Sequence, residues 1–122
     1  MSSTAYKILT RGEWESLNAE GTFAGAPVDL ADGYIHLSAP DQVAETAAKH
    51  FAGRDDLVLV EVDLAKLEAV KWEPSRGGQL FPHIYGVLPL AAVVRAEPLQ
   101  VGTAGDMVNA PPPLVAAEPP RK

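Results

Sequence analysis

Three histidines occur in the chain of 122 residues, and two of them stand in matching settings. His36 lies within Asp32-Gly33-Tyr34-Ile35-His36-Leu37-Ser38. His83 lies within Phe81-Pro82-His83-Ile84-Tyr85-Gly86. In each stretch a Tyr stands two residues from the His. Strand side chains alternate, so Tyr34, His36 and Ser38 share one face, while Ile35 and Leu37 point into a core. His83 and Tyr85 share a face by the same rule. An imidazole donates, accepts and works as acid or base near neutral pH. A polar face backed by an apolar one suits the wall of a cleft, and the expectation is that these two stretches meet.

A carboxylate follows from the same neighbourhood. Glu73 comes after Trp72 and before Arg76-Gly77-Gly78, so a loop folded over the cleft brings both Glu73 and Arg76 to its rim. The candidate catalytic set is therefore His36, Glu73 and His83. The candidate binding set is Tyr34, His36, Arg76, His83 and Tyr85, with Arg76 the local contact for an anionic group. Trp72 is expected in the core. His50 ends a predicted helix beside Phe51, where it complements the helix dipole, and is expected outside the site. His36, His83 and Glu73 have the composition of some zinc sites. No HxH or HxxxH spacing presets such geometry, so no metal is expected. Ser38 is expected to cap a helix, and neither a nucleophile elbow, a phosphate loop nor a dinucleotide fingerprint occurs.

The elements that must position these groups can be read along the chain. Tyr6 to Leu9 is a first strand. Thr10 and Glu13 have capping-box spacing, opening a helix over 11–18. Residues 21–33 carry Gly21, Gly25, Pro27, Asp29, Asp32 and Gly33, and are expected to be a loop. Ser38 and Asp41 are expected to open a second helix, with Val43, Ala44, Ala47, Ala48 and Phe51 on its packed face and Gly53 ending it. Leu57 to Val62 is continuously apolar apart from Glu61, which predicts a central strand buried on both faces. Val70 to Glu73 and Ala91 to Ala96 read as strands. Leu80 to Val87 contains Pro82, which predicts an edge or irregular strand. The fold class is α+β, with a split, mixed β-sheet and two main helices.

Residues 1–100 are expected to form one globular domain. Residues 101–122 are rich in Pro, Ala and Gly, with Pro111-Pro112-Pro113 and Pro119-Pro120, and are expected to be an extended tail. The chain has 10 basic and 16 acidic residues, a net charge of −6. Apart from the Arg121-Lys122 pair its basic residues are spread singly, so nucleic acid is not an expected partner. It has no cysteine, which removes disulfides and thiolate metal sites and is compatible with a cytoplasmic location. No apolar run is long enough to span a membrane.

The pattern resembles a bacterial family known as domain of unknown function 952. The resemblance rests on Tyr6-Lys7-Ile8 with Trp14, the Asp32 to Ser38 and Leu57 to Asp63 stretches, Trp72-Glu73, and Phe81 to Gly86 followed by Leu88-Pro89-Leu90. It covers residues 5–98. The resemblance implies a compact relative of the ADP-ribosyltransferase fold with a nicotinamide-nucleotide cleft. In such enzymes a His holds the nicotinamide ribose, a Tyr packs on the nicotinamide and a Glu stabilises the transition state. His36, Tyr85 and Glu73 match those roles by position. The chain has no Ser-Thr-Ser segment, and Glu73 precedes the second His stretch, whereas the transferase Glu usually comes last. Two functions follow: an ADP-ribosyltransferase-like enzyme acting on NAD or a related nucleotide, or a non-catalytic module binding a small molecule in the same cleft. A third is an interaction protein using the Pro-rich tail.

Overall fold

A computed structural model of the chain describes residues 4–74 and 78–107. Its first layer is a sheet in the order β1 (Thr4–Thr10), β4 (Leu57–Asp63), β8 (Val93–Leu99). The central place of β4 follows from its sequence. Val58, Val60 and Val62 pack into one apolar cluster, Leu57 and Leu59 into another on the opposite face. Both faces are buried, so the strand has no polar side.

The second sheet has the order β3 (Ile35–His36), β6 (Leu80–Ile84), β5 (Val70–Pro74). A two-stranded ribbon joins β2 (Thr22–Phe23) to β7 (Leu88–Pro89). Every pairing between these strands is antiparallel, in place of the expected mixed arrangement. The first two sheets meet at a single bridge, where Tyr6 N–H donates to the Ser38 carbonyl at 2.8 Å and Ser38 N–H returns to Tyr6 at 2.9 Å. The architecture is α+β and the sheet is split, as expected.

Helix α1 (Arg11–Glu20) begins with the capping box: Glu13 N–H donates to Thr10 Oγ1 at 3.1 Å, and Thr10 N–H to Glu13 Oε1 at 2.9 Å. Gly21 ends it at φ 81°, a left-handed conformation that glycine adopts without strain. Helix α3 (Val43–His50) lays Val43 and Ala47 on the Leu57/Leu59 face of the first sheet.

Four expectations are corrected. The stretch 21–33 is not all loop: Pro27–Asp32 forms a short helix, α2, with Pro at its first turn and an acid three residues after Ala26. Ser38 does not cap α3; its hydroxyl pairs with Thr46 Oγ1 at 2.9 Å, and the helix starts later because Gln42 folds back onto the Ala39 N–H at 2.8 Å. The Pro82 strand, β6, is central rather than peripheral. Its proline still offers a carbonyl, which accepts from Leu37 N–H at 3.0 Å, so the ladder loses only one donor where β3 ends. Trp72 is 42% exposed on β5 rather than in the core.

The packed chain continues beyond Leu99. Val101 is buried, bridges to Met107, and both join the cluster beneath α3. A Cβ on Gly105 would stand 2.8 Å from the Ala48 Cβ, so only glycine lets the chain cross the helix there. The remainder of the expected tail, 108–122, lies outside the described residues, as does Arg76.

Candidate functional site

The register of β3 against β6 sets Ile35 opposite Ile84 and His36 opposite His83. Ile35 and Ile84 are buried in the main core, which is worth about 1.5–3 kcal/mol for each side chain. That burial decides the register, since a slip of one residue would send the isoleucines outward. Once they face the core, the two imidazoles must share the other face. Their rings meet edge to face at 5.4 Å between centroids. Tyr34 closes over them, stacked on His83 at 4.2 Å and tilted against His36 at 4.8 Å and Tyr85 at 5.2 Å.

Glu73 arrives from β5. Its Oε1 is 2.7 Å from His83 Nδ1 and accepts the Tyr85 hydroxyl at 2.7 Å. Hydrogen bonds from His83 and Tyr85 hold the Glu73 carboxyl below its usual range. The reciprocal effect pushes the Tyr85 phenol up to about 12, chiefly through its hydrogen bond to Glu73. Five residues singled out from the sequence are thus in one constellation: Tyr34, His36, Glu73, His83 and Tyr85.

His36 is held by a second assembly, buried at Asp29 and Lys7. Its Nδ1 is 2.6 Å from Asp29 Oδ1, and its Nε2 is 3.0 Å from Asp32 Oδ2. Asp29 is 1% exposed and also accepts the Ala26 N–H at 2.8 Å, the His36 N–H at 3.1 Å and the Lys7 ammonium at 3.0 Å. Lys7 further donates to the His36 carbonyl at 2.9 Å. Burial opposes the Asp29 charge, but Lys7, His36 and the two backbone donors outweigh it and hold the carboxyl below its usual range. Burial pulls the Lys7 ammonium below its usual value against the attraction of Asp29.

Neither Lys7 nor Asp29 was singled out from the sequence. Signals existed: Asp29 stands at the third helical position after Pro27, where an acid can bond the backbone N–H before the helix. Lys7 interrupts an apolar strand, which calls for a buried partner.

Beneath the two imidazoles lies a cavity of about 370 Å³. Apolar side chains make most of its wall, among them Tyr6, Ile8, Leu37, Val43, Phe51 and Phe81; Lys7, His36, His83, Thr46 and His50 supply polar groups. His50, expected outside the site, therefore borders it from the last turn of α3. His83 is 2% exposed, and its Nε2 is buried with no hydrogen-bond partner among the described residues. Because Nδ1 is turned out to Glu73, Nε2 lies on the inward side of the ring. A donor on Nδ1 leaves Nε2 as an acceptor, and an unmade buried bond costs about 1–3 kcal/mol.

The model of the family described as protein of unknown function, DUF952, matches residues 8–96. The chain belongs to the DUF952 family. It is similar to protein CC0527 from Caulobacter crescentus, whose crystal structure is 49% identical with a TM-score of 0.81, covering 86% of this chain and 93% of that one. The solution NMR structure of CC0527 matches at 50% identity and a TM-score of 0.74, covering 84% and 90%. No curated protein matches the chain. The family and these neighbours support the α+β architecture and carry no activity with them. Among the described residues no helix is long and apolar enough to cross a membrane.

Proposed function

We propose that this DUF952 protein binds a small molecule in the cavity below His36 and His83, and that the ligand presents a flat ring bearing an N–H donor. One observation carries this reading: the buried, unpartnered Nε2 of His83, fixed in place by Glu73 at its other nitrogen. A ligand N–H donated to Nε2 would supply the hydrogen bond that the described residues do not. The apolar wall gives a ring its burial. The nicotinamide end of a nicotinamide nucleotide meets both requirements, with its carboxamide as donor and its ring among Phe81, Leu37 and Ile8. The phosphates would remain outside, since Lys7 is already committed to Asp29 and the His36 carbonyl.

Turnover of that nucleotide, as in an ADP-ribosyltransferase-like enzyme, is the second reading. The Glu73 carboxylate favours it, although it is bonded to the outer nitrogen of His83 and does not line the cavity. In that reaction the bond from ribose C1 to the nicotinamide nitrogen breaks, and the electron pair leaves with nicotinamide. A nucleophile adds at C1 and gives its proton to a base. Glu73 stabilises the cationic sugar through charge. Its Oε1 already accepts from His83 and Tyr85, and both His36 nitrogens already face carboxylates. That commitment is why binding ranks above turnover.

Thermal unfolding with nicotinamide, nicotinamide mononucleotide, NAD and ADP-ribose separates the two. A ligand that binds only the folded chain adds about 2.7 kcal/mol at a hundredfold excess over its Kd. Stabilisation by the three nicotinamide-bearing molecules, lost in His83→Phe, is expected. Release of free nicotinamide from NAD would promote the second reading. The absence of any shift with all four molecules at millimolar concentration refutes the nicotinamide assignment.

A further inference from the structure

Strand β5 closes one side of the second sheet and has β6 as its neighbour on the other. Its backbone can be sorted by direction. Ala69 accepts from Tyr85 N–H at 2.9 Å, so Ala69 faces β6. Pro82 turns its carbonyl to Leu37 on the β3 side, so the Trp72–Pro82 pair exchanges no bond. Directions alternate along an antiparallel strand, so Lys71 and Glu73 face β6 while Val70, Trp72 and Pro74 turn theirs outward. Among the described residues no strand pairs with this outer edge, and Trp72 is 42% exposed beside it. Proteins commonly blunt an edge with charge, proline or a bulge. Here the charges are one Lys and one Glu, placed symmetrically about the tryptophan.

We propose that β5 pairs antiparallel with β5 of a second copy of this chain, about a two-fold axis through Trp72. The sequence 70–74 is complementary to itself in that register. Trp72 meets Trp72, and the two exchange both backbone bonds. Lys71 of each copy stands opposite Glu73 of the other. Val70 N–H reaches the Pro74 carbonyl, where the missing proline N–H costs one bond at each end. About four backbone hydrogen bonds result. A peptide of another sequence gains the backbone bonds without the reciprocal charge match, which is why the second copy is the assigned occupant. The partner sheets then form one continuous surface, on which each copy's Lys71 stands beside the other's Glu73 at the rim of the candidate site. This pairing is independent of what the cavity binds.

Strand β5 offers five residues from each copy, fewer than a standard interface presents, so a weak dimer is expected. Sedimentation of the full chain over a concentration series tests it. Lys71→Glu sets acid against acid at both ends, and is expected to weaken dimerisation about tenfold. The double variant Lys71→Glu/Glu73→Lys restores opposite charges and is expected to restore the dimer. Because the chain has no cysteine, Trp72→Cys supplies a single thiol on the axis. It should form a disulfide-linked dimer on mild oxidation, while Val94→Cys on β8, at the edge of the first sheet, should not. Circular dichroism identifies any variant that fails to fold, and the remaining variants then decide. A chain that stays monomeric at about 1 mM, or a dimer indifferent to Lys71→Glu and not cross-linked at position 72, overturns the proposal.

Discussion

Replacing Asp29 by Asn keeps the shape of the side chain and removes its charge. Asp29 and Lys7 are 1% and 8% exposed, and Nζ stands 3.0 Å from the carboxylate. The change leaves a buried ammonium with only the His36 carbonyl and an amide oxygen for company. Breaking such a pair from one side costs about 3–5 kcal/mol. At about 3–6 °C per kcal/mol for a chain of this size, even the lower figure lowers Tm by about 9–18 °C. The same reasoning makes the double variant Asp29→Asn/Lys7→Met much milder, because no uncompensated charge remains. A thermodynamic cycle read by urea unfolding then gives a coupling of more than about 2 kcal/mol.

A pH dependence accompanies it. The Asp29 carboxyl is held below its usual value in the folded chain. Its contribution is therefore fully present above the unfolded value of 3.8 and is lost as pH falls through the lower folded value. Asp29→Asn should flatten that acid limb of stability against pH. A single-variant loss below about 1 kcal/mol, or strictly additive single and double variants, would refute the assignment of a buried, coupled charge pair.

Two further outcomes are expected from the same geometry. In alkaline titration followed by tyrosinate absorbance, Tyr85 should be the late step, near pH 12; Glu73→Gln removes the charge responsible and should move that step down, whereas an unchanged curve contradicts the Glu73–Tyr85 bond. Gly25 has φ 130°, and a Cβ there would stand 2.8 Å from the Asp29 Cβ. Gly25→Ala should therefore cost more than about 1 kcal/mol in urea unfolding and lose part of the Asp29–Lys7 coupling, while a neutral substitution would show that the turn adapts.

What was legible in the sequence was whatever depended on period and local spacing. Thr10 and Glu13 announce the start of α1 because a capping box is local. The Leu57 to Val62 run announces a central strand because burial on both faces leaves no room for alternation. The pairing of His36 with His83 was legible too, since each His is flanked by an isoleucine whose burial turns the imidazole outward. Long-range compensation was not legible. Pro82 looks like an edge signal, yet its carbonyl serves β3 and its missing N–H falls where that strand has ended. Ser38 looks like a helix cap until Gln42 takes the Ala39 N–H from the other side. Asp29 looks like loop punctuation because its partners on β1 and β3 lie 22 and 7 residues away.

Those errors share a cause that also orders the site. His36 and His83 stand opposite each other in register, and their carboxylate partners and burial distinguish them. Asp29 and Asp32 take both nitrogens of His36, and Lys7 ties the assembly to the first sheet through the His36 carbonyl. His36 thereby holds the junction of two sheets and has no ring nitrogen to offer. Glu73 takes one nitrogen of His83 and leaves the other buried, without a partner among the described residues. The sequence places His36 and His83 in the same candidate catalytic and binding sets. Under the binding reading proposed above, availability of a hydrogen-bonding atom would give the ligand contact to His83 and leave His36 to shape the wall.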